Sequence, residues 1–160
     1  MHTNLDAAAG GVNEVLAQKL GLSDLKMLTE EKIGRIGTLK CEIPLVEFTR
    51  FVIESLGCNG LRYTDCGKPV HRVAVGGGAC GDYIPQAIAA GCDTFVTSDL
   101  RYHDFLDTTA LNLIDAGHFP TENVICVPLA DYLQKVFPAA TVIKTTAHSS
   151  EVIQYCIKEK

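Results

Sequence analysis

Apolar positions recur at helical spacing through the first part of the chain. Val12, Val15, Leu16 and Leu20 share one face of the stretch Gly11 to Leu20, and Gly21 follows as a stop, so an amphipathic helix is predicted there. Arg35 to Cys41 reads as a short strand. Pro44 then opens a second helix whose Leu45, Phe48, Val52 and Leu56 line one face before Gly57 ends it. The passage from Cys58 to Pro69 is rich in turn residues and predicts no regular element. In HRVAVGGGACGDYIPQAIAAGCDTFVTSD the pattern becomes strand, glycine turn, helix, strand: Val73 to Val75, Asp82 to Ala90 with Gly91 as its stop, and Thr94 to Thr97. A short helix follows from Phe105 to Thr109, then a buried strand within ALNLIDAGH. A last long helix runs from Pro120 to Val136, which Pro128 should kink or split. A Thr141 to Lys144 strand and a Glu151 to Ile157 helix close the series. The alternation predicts a layered α/β fold with a mainly parallel or mixed sheet flanked by helices, as a single domain over residues 1–160.

Composition narrows this picture. With 160 residues, 47% of them hydrophobic, the chain can bury one ordinary core. A formal charge of -5 with both signs interspersed leaves no basic face for a phosphate backbone, which argues against nucleic acid as a direct ligand. No apolar run approaches the roughly 20 residues of a membrane span, and the start lacks the basic and apolar regions of a signal peptide, so no membrane partner and a cytoplasmic location are expected. The seven cysteines are scattered, with no C-x-x-C pair, and read as reduced, mostly buried thiols. The chain opens directly on His2-Thr-Asn-Leu-Asp6 with no preceding element to support these polar groups, and it reads as a fragment.

Four groupings have the residue types for chemistry. In DAGHFPTE, His118 and Glu122 lie four residues apart at a strand-to-helix junction. One imidazole nitrogen and one carboxylate there suit Zn, Mn or Fe, while the alternative is a helix-capping glutamate beside a packed histidine. In HTNLD, Asp6 stands at the end of what would be an edge strand. Its carboxylate has the two oxygens needed to bridge two metals, or it serves as an N-cap or Asx-turn residue. Gly76, Gly78 and Gly81 fit G-x-G-x-x-G, with Asp99 at the next strand end, which makes a dinucleotide binder through Gly76 to Gly81 a further alternative. In TSDLRYHD, His103 lies between Asp99 and Asp104, an arrangement that suits a general acid or base and equally an ordinary surface cluster.

Taken together, HTNLDAAAGGVN, VAVGGGACGDYIPQAIAAGCDTFVTSDLRYHD and LNLIDAGHFPTE resemble, in this order, the NIF-three-like dinuclear-metal-centre family, whose bacterial members are known as GTP cyclohydrolase I type-two homologs. The resemblance implies two divalent metal ions (Zn, Fe or Mn) per complete site, with Asp6, His118 and Glu122 as ligands. It also implies that His2 and His103 line the same cavity, in catalytic proton-transfer or supporting roles. A further histidine pair, which the family carries on an N-terminal motif, has no counterpart here, so the chain resembles an N-terminally truncated short form with an incomplete site. The implied activity is metal-dependent hydrolysis of a small molecule or nucleotide, of the GTP cyclohydrolase type, in a homohexamer. The alternative is a non-catalytic metal-binding scaffold or an adaptor that interacts with transcription factors.

Overall fold

The computed structural model describes residues 3–145, 147 and 152–156. Two helices, α1 (Thr3–Ala7) and α2 (Val12–Lys19), lead into strands β1 (Ser23–Met27) and β2 (Arg35–Ile43). Helix α3 (Leu45–Leu56) follows, then β3 (Arg62–Thr64), β4 (Val70–Ala79), a single 3-10 turn (Gly81–Tyr83), α4 (Ile84–Ala89), β5 (Thr94–Ser98), α5 (Tyr102–Asp107), β6 (Asn112–Asp115), α6 (His118–Asn123) and α7 (Cys126–Val136). The strands form one six-stranded sheet in the order β1-β2-β4-β5-β6-β3. Its centre, β4-β5-β6, is parallel, and β1, β2 and β3 pair antiparallel with their neighbours. The sheet is therefore mixed, with a parallel core as the β/α alternation predicts.

Side chains alternate across the central strands and build a core on each face. Val73 and Val75 of β4, with Val96 and Ile114, pack against Leu16 of α2 and Phe48 and Val52 of α3. Ala74, Phe95 and Leu113, one residue out of phase, pack against Ile84 and Ala87 of α4. The result is three layers, helix on sheet on helix. Phe48 is fully buried, and truncating it to alanine removes contacts of the kind that cost about 3–5 kcal/mol.

The expected helix opened by Pro44 forms as anticipated: Pro44 is the N-cap, and Gly57 caps the end in the left-handed conformation, its N–H bonded to the Ile53 carbonyl. Other expectations need correction. Strands β1 and β3 were not predicted. The first is mostly exposed and shows no burial alternation, and the second has only three residues, so neither leaves a periodic signal. Asp6 lies in the short helix α1, not at the end of an edge strand. The long helix expected from Pro120 to Val136 is two helices, and it breaks at Val124–Ile125 instead of at Pro128. Pro128 falls in the first turn of α7, where its missing N–H has no intrahelical partner to lose.

Thr141 to Lys144 is not a strand. The backbone there is exposed, and Val142 N–H bonds to the side chain of Gln134 instead of a sheet edge. Residues 152–156, the described part of the expected last helix, are not helical; Glu151 and Ile157 lie outside the described residues. Tertiary contacts hold this segment in an irregular path: Asn59 Nδ2 donates to the Ile153 carbonyl, and the Tyr155 ring lies where a side chain on Gly60 would project. Among the described residues, no helix is long and apolar enough to cross a membrane.

Candidate functional site

Because β4, β5 and β6 run parallel, their carboxyl ends meet at one edge of the sheet. Gly78 near the end of β4, and Asp99 and His118 beyond the ends of β5 and β6, come together there around the His118 ring, as loops following parallel strands commonly do. His118 opens α6, and its ring lies between two carboxylates. Nδ1 is 2.5 Å from Asp99 Oδ2, and Nε2 is 3.2 Å from Glu122 Oε1, one helical turn further on. The hydrogen bond with Asp99, then the negative charge of Glu122, raise the His118 pKa above its ordinary value against a partial burial that lowers it. A neutral imidazole has one N–H and cannot donate to both carboxylates. The arrangement therefore calls for an imidazolium, or for a neutral ring whose Nε2 shares a proton or another cation with Glu122.

Gly78 makes this approach sterically feasible. It has φ +68, and a Cβ there would collide with Glu122 Oε1 and lie 3.3 Å from His118 Cε1. Its N–H donates to Thr121 Oγ1 at 3.0 Å, and its carbonyl accepts from Thr97 Oγ1 at 3.0 Å. The neighbouring Gly77 N–H donates to Asn13 Oδ1 at 2.8 Å, while Asn13 Nδ2 donates to the Asp6 carbonyl. These amides are thus already engaged by side chains. A dinucleotide pyrophosphate needs free backbone N–H groups at the glycine turn, and Gly77 and Gly78 offer none. Gly76 and Gly78 also lie inside β4 itself, not in a turn leading to a long helix.

Asp115, at the end of β6, ties the loops together. Its side chain is only 6% exposed and accepts from Leu100 N–H at 3.0 Å and Gly117 N–H at 3.1 Å, and it also pairs with Arg62. One carboxylate thereby fixes the residue after Asp99 and the residue before His118. Neither Asp115 nor the pairing of Asp99 with His118 was recognised in the sequence. The signal available was the aspartate three residues before the histidine in DAGH, which reads equally as a strand-end residue.

Asp6, His118 and Glu122 line one cavity of about 530 Å³, whose other walls are mainly apolar, among them Leu5, Val12, Phe119 and Ile125. Asp6 and Glu122 also act together on the buried Cys80 thiol. Burial first, and then their negative charge, push its pKa up to about 11. Among the described residues, no three His, Cys, Asp or Glu side chains converge closely enough to hold one ion. His118 and Glu122 nevertheless fit as two donors to one: ligands at about 2.0–2.1 Å from a tetrahedral ion sit about 3.3 Å apart, close to the observed 3.2 Å.

The other expected site residue that the structure describes lies elsewhere. His103 is on the exposed side of α5, edge-on to the Tyr102 ring at 5.7 Å, and is not among the residues lining the cavity. The carboxylates expected to flank it have other partners: Asp104 caps α5 and binds Arg101, and Asp99 binds His118. His2 lies outside the described residues.

Fold and site together define a three-layer α/β protein with a carboxylate–histidine–carboxylate cluster at the carboxyl ends of its parallel strands. The chain belongs to the Duf34/NIF3 (NGG1p interacting factor 3) family, whose model matches residues 1–152. It is 33% identical over 144 residues to a GTP cyclohydrolase 1 type 2 homolog of Nostoc sp. and 29% identical over 143 residues to the corresponding homolog of Clostridium perfringens; in each case 84% of this chain matches 55% of the relative. The chain thus spans about half the length of these curated relatives. Its fold matches a Bacillus cereus protein related to NIF3 with a TM-score of 0.87 at 22% identity, covering 96% of this chain and 72% of that one.

Proposed function

We propose that the chain carries the histidine–glutamate portion of a divalent-metal centre of hydrolytic type, with His118 Nε2 and Glu122 Oε1 as two of its donors. The observation that carries this reading is the ring held between two carboxylates, an arrangement that calls for positive charge at Nε2 and that Gly78 leaves room for. Asp6 lies on the wall of the same cavity without converging with His118 and Glu122 on one point, so its part in the centre is as a ligand to a second ion, which its carboxylate would bridge to the first. A mixed nitrogen and oxygen set of this kind suits Zn, Fe or Mn. When bound, such an ion supplies Lewis acidity and makes water a nucleophile near neutral pH.

The chain's own residues prepare the rest. Asp99 orients the His118 ring, and the apolar wall of Leu5, Val12, Phe119 and Ile125 excludes bulk water from one side of a substrate. No lysine or arginine lines the cavity among the described residues. A nucleotide substrate would therefore rely for its phosphates on metal ions or on groups outside this cavity lining. Two protein donors bind weakly, so a complete centre needs further ligands and, as the family resemblance suggests, a homo-oligomer.

The reading is tested on the whole chain by calorimetric titration with Zn(II) and Mn(II), beside His118→Ala and Glu122→Gln. Saturable binding in the parent that both variants lose supports it, and equal binding by all three removes it. The GTP cyclohydrolase assignment, suggested by the names of the relatives, is tested by incubating metal-loaded protein with GTP. Turnover of other phosphoesters or cyclic amidines in the absence of GTP turnover would discard it.

A second reading, that of a protein-binding adaptor, is favoured by α7. It buries no residue and exposes Val127, Tyr132 and Val136, with Phe137 just beyond. If partner capture survives in an Asp6→Ala/His118→Ala variant that binds no metal, that role is independent of the site.

A further inference from the structure

We infer that Asp99 is a positioning residue that holds the His118 ring with Nδ1–H toward β5 and the Nε2 lone pair toward Glu122 and the cavity. The inference rests on the proposed metal-binding role of His118 and Glu122. It draws on two independent features of the fold.

The first is the contact itself. Asp99 Oδ2 lies 2.5 Å from His118 Nδ1, on the side of the ring opposite Glu122. A carboxylate can only accept there, so the ring nitrogen facing it carries the hydrogen, and in the neutral ring Nε2 is left as the donor to a cation. Carboxylate partners of this kind fix tautomer and ring orientation in metal-ligating histidines.

The second is the backbone. Asp99 has φ +55, one of three positive values at non-glycine positions among the described residues. A glycine would adopt this conformation at no steric cost, whereas a side chain with a Cβ is held there against its preference. Ser98 N-terminal to it is buried in β5, and Leu100 N–H after it is anchored on Asp115. The chain is thus clamped on both sides of a residue whose side chain is half exposed and aimed at His118. The backbone conformation admits an aspartate more readily than most side chains, but it does not account for the carboxylate's contact with the His118 ring.

The test uses Asp99→Gly and Asp99→Asn in the full chain. Glycine relieves the backbone strain while loosening the unfolded chain, two effects of similar size and opposite sign, so the melting temperature should stay within about 4 °C of the parent. Two other readouts should move. Nitrogen-15 correlation spectra of the metal-free protein, in the alkaline range where the ring is neutral, should show His118 as the Nδ1–H tautomer in the parent and shifted toward Nε2–H in Asp99→Gly. Zn(II) affinity should fall about 10–100-fold in Asp99→Gly, as is usual when such a partner is lost. Asp99→Asn keeps an acceptor oxygen and should retain the parent tautomer with a smaller loss of affinity.

An unchanged tautomer in Asp99→Gly, or a changed tautomer with unchanged Zn(II) affinity, overturns the inference. A tautomer that depends on Asp99 in a parent that binds no Zn(II) supports the positioning role and instead removes the metal reading on which its purpose rests.

Discussion

Gly78 offers a direct test of whether the approach of His118 to Glu122 matters. In Gly78→Ala the added Cβ sits at a backbone of φ +68, which costs about 1–2 kcal/mol for an L-residue. It also meets Glu122 Oε1 inside contact distance and leaves Glu122 Cδ and His118 Cε1 at 3.3 Å each. The colliding oxygen is the far end of a flexible side chain, so it can swing away at little further cost to the fold. Doing so takes Oε1 from its 3.2 Å position beside Nε2. The expected loss of stability is therefore only the backbone term, about 2–8 °C in melting temperature for a chain of this size. The loss at the site is larger, because one of two donors is displaced, and should be at least the about 10–100-fold seen when an outer partner is removed.

Gly91→Ala is the control. It has φ +71 with nothing within 4 Å of its would-be Cβ, so it carries the same backbone strain far from the clash. Thermal unfolding by circular dichroism and calorimetric titration with Zn(II) should show both variants destabilised alike, with only Gly78→Ala weakened toward the ion. If Gly78→Ala binds Zn(II) as the parent does, or if Gly91→Ala loses as much affinity, the geometric argument fails.

Asp115→Ala leaves the Leu100 and Gly117 amides without their acceptor and strips Arg62 of its partner; with buried unmet groups costing about 1–3 kcal/mol each, a loss of about 3–5 kcal/mol is expected in urea unfolding, and a loss below about 1 kcal/mol would contradict the role assigned to it. Burial holds the Cys80 and Cys92 thiols at about 11 against an ordinary 9.0, so between these values the folded state keeps protons that the unfolded state has released. Stability should be flat with respect to these groups below about pH 9 and fall toward about pH 11, and urea midpoints that rise over that range would refute it. His118, its pKa raised first by Asp99, should in the metal-free protein contribute stability at acid pH that is lost as pH rises through its folded value. The same proton competes with a metal at Nε2, so Zn(II) affinity should still be climbing with pH above the ordinary histidine range near about 6.5, and a plateau reached at or below that range would count against the pairing.

The parts of the fold with strong periodicity were legible in the sequence: the helix from Leu45 with its Pro44 and Gly57 boundaries, and the β/α alternation around Val73 to Thr97. Elements stabilised by pairing alone were not. Edge strand β1 and the three-residue β3 gain their conformation from β2 and β6, and the segment 152–156 from Asn59 and the cavity wall. The site divides the same way. The i, i+4 spacing of His118 and Glu122 fixes their proximity within one helix, so it can be read locally. Asp99 reaches His118 only because β5 and β6 are parallel neighbours, a fact of topology that TSDLRYHD does not carry. The same sequence made His103 the obvious partner for Asp99, and the start of α5 turns that histidine away.

The glycine run shows most clearly how a motif acquires its meaning from its surroundings. Three consecutive glycines after a strand read equally as a phosphate cradle or as a place where other groups come close. Here the amides of Gly77 and Gly78 are taken by Asn13 from α2 and Thr121 from α6, and the Gly78 carbonyl by Thr97 from β5. Each of these three side chains has a second bond that reaches toward the site. Asn13 holds the Asp6 carbonyl, Thr121 donates to the backbone of Gly117 or His118, and Thr97 accepts from Cys80 N–H. A side chain on Gly77 would meet Val12 Cγ1 at 2.8 Å, and one on Gly78 would strike Glu122. The glycines are therefore a close-packed platform on which α1, α2 and α6 are set at fixed distances. The steric freedom that fits a G-x-G-x-x-G turn here serves close packing instead: it lets the Glu122 carboxylate and the His118 ring approach β4, and Asn13 ties the Asp6 carbonyl to the same run.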